Sequence, residues 1–180
     1  SHTYNGTKPP VSLHGNKGNW QILKRILDGK PVIIPGDGSS LWTLTHSKDF
    51  AKGYVGLMAN PHAIGNAFHI TTDESMTWNQ IYQTIADALG KPLNALHVAS
   101  DFLARHGGNY DFRGELLGDK AATVVFDNSK IKRLVPDFIC TTSMADGLRQ
   151  SVQYMLLHPE TQTPDPEFDS WCDGCGRQSF

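Results

Sequence analysis

Apolar positions along the chain recur with two spacings, and the spacing changes at glycine and proline. From Asn19 to Asp28, Trp20, Leu23 and Leu27 share a face with Ile22 and Ile26 beside them. That spacing predicts an amphipathic helix, ended by Gly29 and Pro31. The apolar run Val32–Ile34 predicts a strand, Gly36-Asp37-Gly38 a tight turn and Leu41–His46 a second strand. Ser47 reads as the N-cap of a helix whose Phe50, Tyr54, Leu57 and Met58 form a buried stripe, stopped at Asn60-Pro61.

Further along, 66–71 reads as a strand of mixed alternation. Thr77-Trp78-Asn79-Gln80 is a capping box opening a helix with Ile81, Ile85 and Leu89 on one face. Strands over 93–99 and 122–126, short helices over 100–105 and 129–134, and a long helix from Ser143 to Leu157 come next. The first 17 residues read as loop, and the glycine-broken 107–119 as a surface excursion or lid. A short helix is expected around Glu167–Cys172. The sum is an α/β chain with a short mixed sheet.

Composition narrows this picture. At 180 residues the chain has room for one well-cored domain. A net charge of −2 without charge blocks disfavours a general nucleic-acid binder. No apolar run approaches the roughly 18 residues of a membrane helix, and no stretch within the sequence has the basic start and apolar core of a secretory signal. Three cysteines suit a reducing cytoplasm better than a disulfide framework. Cys172-Asp173-Gly174-Cys175 has only Cys140 and His158 as further thiol or imidazole candidates, so no metal site is expected. No dinucleotide fingerprint, Walker loop, His-Glu-x-x-His or Gly-x-Ser-x-Gly occurs. The opening at Ser1, straight into a Gly/Pro-rich loop, looks like the middle of a protein.

The segment GDGSSLWTLTHSKDFAKG (36–53) resembles the motif GDGSxxRDxxHVxDxAxA of extended short-chain dehydrogenase/reductases, the NAD-dependent epimerase/dehydratase family. Ser1-His2-Thr3-Tyr4-Asn5-Gly6 resembles the stretch after that family's Arg-Pro, where the chain leaves the nucleotide-binding core. AFHITTDESMTWNQIYQTIADALGK (67–91), GDKAATVVFDNSKIKRLVPDF (118–138) and Ser143–Leu157 resemble its later strand–helix, its GDxxxxxxDxsK segment and its closing helix. The resemblance implies a C-terminal, substrate-binding domain over residues 1–158, without the Rossmann core, and a C-terminal surface extension over 159–180. It implies NAD or NADP in the intact enzyme, with none bound by this fragment. It further implies a missing N-terminal Rossmann half as partner, a small sugar-like or polar substrate and no activity alone; a homo-oligomer is open. Apolar surface facing the missing half is expected to be exposed.

The resemblance also ranks candidate residues. His2 and Tyr4 sit where family members place substrate-contacting groups, and His46 matches the motif histidine, as contact or as structural residue. Trp42 stacks on a ring or belongs to the core, and Arg113 is a candidate anion contact. Asp37 and Asp49 read as turn former and helix-start carboxylate. Tyr4 and Lys8 have Tyr-x-x-x-Lys spacing, but Asn5-Gly6 and Pro9-Pro10 break the helix that would align them, so no catalytic residue is expected. The family's Arg-Asp is replaced by Trp42-Thr43, and a later loop arginine by Leu116-Leu117. Those losses argue against a nucleotide sugar held in the usual bidentate way. The alternative is a non-enzymatic module related to RNA-binding proteins of reductase fold.

Overall fold

The computed structural model describes residues 2–178. Three two-stranded sheets are interleaved with seven α-helices among the described residues. Strand β1 (His2–Tyr4) pairs in parallel with β4 (Leu44–His46), and β2 (Val32–Pro35) in parallel with β6 (Ala95–Val98). Strand β3 (Leu41–Trp42) pairs antiparallel with β5 (Met76–Thr77). The helices are α1 (Trp20–Leu27), α2 (Ser47–Met58), α3 (Trp78–Ala88), α4 (Ser100–Arg105), α5 (Ser129–Leu134), α6 (Met144–Leu157) and α7 (Pro166–Gln178). This is the α/β class with short mixed sheets that the sequence pattern predicts.

The main core fills the space between α1, α3, α6, α7 and β2. Ile22, Leu23 and Ile26 of α1 meet Ile81 and Ile85 of α3 and Leu148 and Val152 of α6, all buried. The expected capping box holds α3: Thr77 Oγ1 accepts the Gln80 amide, and Gln80 Oε1 accepts the Thr77 amide. A smaller cluster of Ile70, Ile131 and Phe138 packs under Phe50 and Leu57.

Several expectations are corrected. Residues 66–71 form no strand, because the Asn128 side chain takes the ladder's place: it accepts from Thr71 N and donates to Thr71 O at 2.7 Å. Residues 122–126 run beside Leu41, with one backbone bond from Val124 N to Leu41 O, and form no strand either. The expected strand 41–46 is cut at Thr43, its halves joining different sheets. Residues 2–4 are a strand and not loop; three residues carry too little pattern to betray a partner forty positions away. The excursion at 107–119 contains a π-helical segment, Arg113–Lys120, with Leu116 buried.

Two corrections bear on function. The tail expected as a surface extension is docked instead: Phe168 and Cys172 of α7 lie in the main core at 1% exposure each. On α2, Phe50 and Leu57 do face the protein, but Tyr54 and Met58 are 53% and 70% exposed. With Ala51 and Val55 they make an uncharged stripe turned outward.

Candidate functional site

Strand β1 and the loop after it border two adjoining clefts. The first, about 510 Å³ and open, is lined by His2, Thr3 and Tyr4 of β1, by Asn5, Lys8, His14 and Asn19 of the adjoining loop, and by Ser47 at the start of α2. That loop holds its shape through side chains. Asn5 Oδ1 accepts from the Thr7 amide and hydroxyl, and Asn19 Nδ2 donates to Pro9 O at 2.8 Å. Gly6, at φ +74°, makes the turn that leads out of β1.

The lining is polar and leans cationic. Lys8 makes no hydrogen bond or ion pair among the described residues. His14 donates from Nδ1 to Gly15 O at 2.8 Å, which leaves Nε2 as an acceptor. His2 stands exposed at the mouth, and its imidazole is held below the usual value by desolvation at the wall and then by Lys120. The cleft offers a cation and mixed donors and acceptors, which suits orienting a small polar molecule.

Tyr4 is the buried end of β1, at 6% exposure. Its ring meets His46 edge-on at 5.4 Å, and its hydroxyl lies against Gly147 of α6, where a Cβ would collide with it. That hydroxyl has no hydrogen-bond partner. Burial, followed by Glu74, Asp49 and Asp146, pushes the phenol well above its ordinary value. A phenol so placed stays protonated, the opposite of the acidified tyrosine that a Tyr-x-x-x-Lys pair requires.

His46 ends β4 and caps α2. Its Nδ1 accepts the Lys48 amide hydrogen at 3.3 Å, and burial holds its pKa down. Its other nitrogen borders the second cleft, about 330 Å³, on the far side of Asn5. Asp49, one turn into α2, accepts from Lys52 and from the amides of Thr141 and Thr142 at 3.0 and 2.9 Å. Burial alone would raise this carboxyl, but those donors hold it well below the carboxylate range.

The structure thus brings His2 and Tyr4 together at the first cleft and places His46 at the second. Trp42 lines neither: it is 5% exposed, packed at a tilt against Trp78 with ring centroids 5.3 Å apart, and its indole nitrogen is unpartnered. Arg113 is exposed on the π-helical segment and also lines neither cleft. Asn5, His14 and Asn19 escaped sequence reading, and Lys8 entered it only as half of a Tyr-x-x-x-Lys pair that was set aside. Their signal was a run of polar side chains set between glycines and prolines, the composition of a loop that carries function. Cys172 and Cys175 are both buried on α7, and desolvation pushes the Cys172 thiol up to about 12. No group of three or more His, Cys, Asp or Glu among the described residues is placed to hold a metal ion.

No family model matches the chain. It is 28% identical over 121 residues to 2'-dehydrokanamycin reductase of Streptomyces kanamyceticus, a match that covers 67% of this chain and 33% of the relative. It is 26% identical over 148 residues to the uncharacterized UDP-glucose epimerase YtcB of Bacillus subtilis, covering 82% of this chain and 40% of that protein. UDP-glucuronic acid 4-epimerase from Bacillus cereus, solved with UDP-glucuronic acid and NAD, superposes with a TM-score of 0.63 at 22% identity. That superposition covers 87% of this chain and 43% of the epimerase. The chain's homologues and structure neighbours are NAD-dependent epimerase/dehydratases.

A shorter stretch, 46% of this chain, is 26% identical to the chloroplast stem-loop binding protein of 41 kDa b of Arabidopsis thaliana, covering 23% of it. The chain spans well under half the length of the curated relatives it matches. No helix among the described residues is long and apolar enough to cross a membrane.

Proposed function

We propose that this chain is the substrate-binding portion of a NAD(P)-dependent epimerase, dehydratase or reductase acting on a sugar-like or other small polar substrate, and that it is inactive alone. The observation that carries this reading is a juxtaposition. The polar first cleft opens beside the start of α2, and α2 then runs outward with Tyr54, Val55 and Met58 exposed. An uncharged helix stripe of this kind is a surface made for another folded unit. A cofactor-binding half seated there would close the cleft from its open side and bring a nicotinamide to the substrate. Lys8, His14 and Asn19 would orient that substrate, and Tyr4 would shape the floor.

The substrate need not carry a diphosphate. Trp42 replaces the family arginine with a buried indole, and Leu116-Leu117, the first buried and the second 47% exposed, stand in place of the later one. The kanamycin-type and UDP-glucose activities of the named relatives give the first two substrates to try. The test compares the chain with the same chain joined to an N-terminal nucleotide-binding half. The joined protein should turn over a sugar with reduction or oxidation of NAD(P), and the chain alone should bind no cofactor. Cofactor binding by the chain alone would overturn the reading.

The stem-loop relative favours a second reading, an RNA-binding module. Sixteen Lys and Arg against eighteen Asp and Glu give this chain no basic excess to drive it. A salt-dependent shift of a stem-loop RNA, without hydride transfer by the joined protein, would decide for it.

A further inference from the structure

The second cleft has no part in binding the substrate ring at the first, and its lining has a chemistry of its own. His46 forms part of its wall. The residue is 4% exposed, and because Nδ1 accepts a backbone hydrogen, the ring proton sits on Nε2. That N–H has no partner among the described residues and lies 3.2 Å from where a Cβ on Gly6 would stand. Gln150 and Gln153, on the exposed face of α6, make no side-chain hydrogen bond among the described residues. Asn5 spends its carbonyl oxygen on Thr7 and keeps its amide hydrogens free.

The remaining wall is flat. Tyr154 stacks on His158 with centroids 3.7 Å apart and planes 11° from parallel. His158 donates from Nδ1 to Tyr154 O at 2.8 Å, which locks the pair as a platform. Lys48 is the one Lys, Arg, Asp or Glu in the lining.

Unspent amides, an imidazole N–H and an aromatic platform are complementary to one kind of ligand. Amides both donate and accept, as hydroxyls do, and an aromatic face takes the C–H side of a saturated ring. A volume of about 330 Å³ lies within the range of small-molecule sites. An anion fits worse, since Lys48 is the single ammonium or guanidinium in the lining and its other polar groups are amides, imidazoles and the Tyr154 phenol.

We infer that the second cleft is a subsite for an uncharged sugar ring, the second ring of a substrate whose first ring occupies the adjoining cleft across Asn5. The pairing of the two clefts rests on the proposed function; the ring site itself does not.

The test uses the chain as it stands, with methyl glucoside and maltose as one-ring and two-ring probes and inorganic phosphate as control. Nuclear magnetic resonance follows the side-chain amides of Gln150 and Gln153, and the imidazoles of His2 and His14. Saturable shifts of the two glutamine amides with both sugars are expected, with maltose also moving His14. Tyr154→Ala should weaken binding about tenfold, the loss of one stacking contact. Gln153→Ala, at an exposed position that cannot upset folding, should weaken it as well. Sugar-induced shifts confined to His2 and His14 would overturn the ring site and leave the proposed function standing. Glutamine shifts that both variants leave unchanged, or that phosphate reproduces more strongly, would overturn it too. Absence of any saturable shift would count against both.

Discussion

Two faces of this molecule treat their polar groups in opposite ways. At the seam between α1 and α7, Arg25 is buried at 1% side-chain exposure, and each of its three guanidinium nitrogens is engaged. It donates to Pro31 O at 2.8 Å, to Asp169 Oδ1 at 2.6 Å and to Asp169 O at 3.0 Å, and it pairs with Asp173 at 2.8 Å. Lys30 adds a second cation on Asp169 at 2.6 Å. Around β1 and α2 the pattern reverses: Tyr4 is buried without a partner, Lys8 and two glutamines are unspent, and apolar side chains face water. A seam that satisfies itself is structural, whereas a face with donors and apolar area left over is complete only with something bound to it.

The largest effect should come from breaking the seam. Arg25→Ala leaves Asp169 and Asp173 with Lys30 alone and empties a buried volume, so it should cost about 3 kcal/mol. That is the low end for a buried pair, because both carboxylates keep some contact with water at 22% and 41% exposure. Urea unfolding measures it. A loss under about 1 kcal/mol would mean that α7 is an appendage after all, since such small losses are typical of exposed pairs.

A middle-sized effect tests the open face through pH. His46 in the folded chain titrates below its ordinary value of 6.5, so the unfolded chain binds more protons just beneath that pH. Its contribution to stability is complete above pH 6.5 and declines as pH falls through the window below. Asp49 is depressed from 3.8, so its contribution is complete above the carboxylate range and is lost as pH falls further. Two acid steps are therefore expected in the urea midpoint. His46→Asn keeps an N-cap acceptor for α2 and should shrink the upper step, leaving the share that His2 contributes with the same sign. An upper step of undiminished size in this variant would remove His46 as its source.

The closed half of the molecule was the more legible in sequence. Helices α1, α3 and α6 announce themselves by apolar spacing and by caps at Thr77 and Ser143, because packing and local hydrogen bonds agree there. The open half was misread where one signal stands for two fates. Tyr54 and Met58 continue the apolar spacing of Phe50 and Leu57, and spacing cannot say whether the next partner lies in this chain or outside it. Trp42 was readable as ring platform or core, and only the neighbouring Trp78 decides. The tail was misread because Arg25, its anchor, lies more than 140 positions upstream and looks like an ordinary helix-end charge. At the site, the family motif led to His2, Tyr4 and His46, whereas Gln150, Gln153 and Tyr154 look like any exposed helix face until the fold sets them beside Asn5.

The smallest expected effect separates the two faces most finely. Tyr4→Phe removes a buried hydroxyl that has no partner, and a hydroxyl in that state costs about 1–3 kcal/mol in desolvation. Part of that gain is given back, because Gly147 leaves room for the oxygen and its removal leaves a small void. The variant should therefore unfold at slightly higher urea, by between zero and about 1 kcal/mol. The equivalent cut at the seam does the reverse, since each guanidinium nitrogen of Arg25 is in use. If Tyr4→Phe were destabilising by more than about 1 kcal/mol, the hydroxyl would have an internal partner and the two faces would be alike. If stability rises while the joined protein loses turnover, the unspent hydroxyl serves the site that Tyr4 borders at a cost in stability.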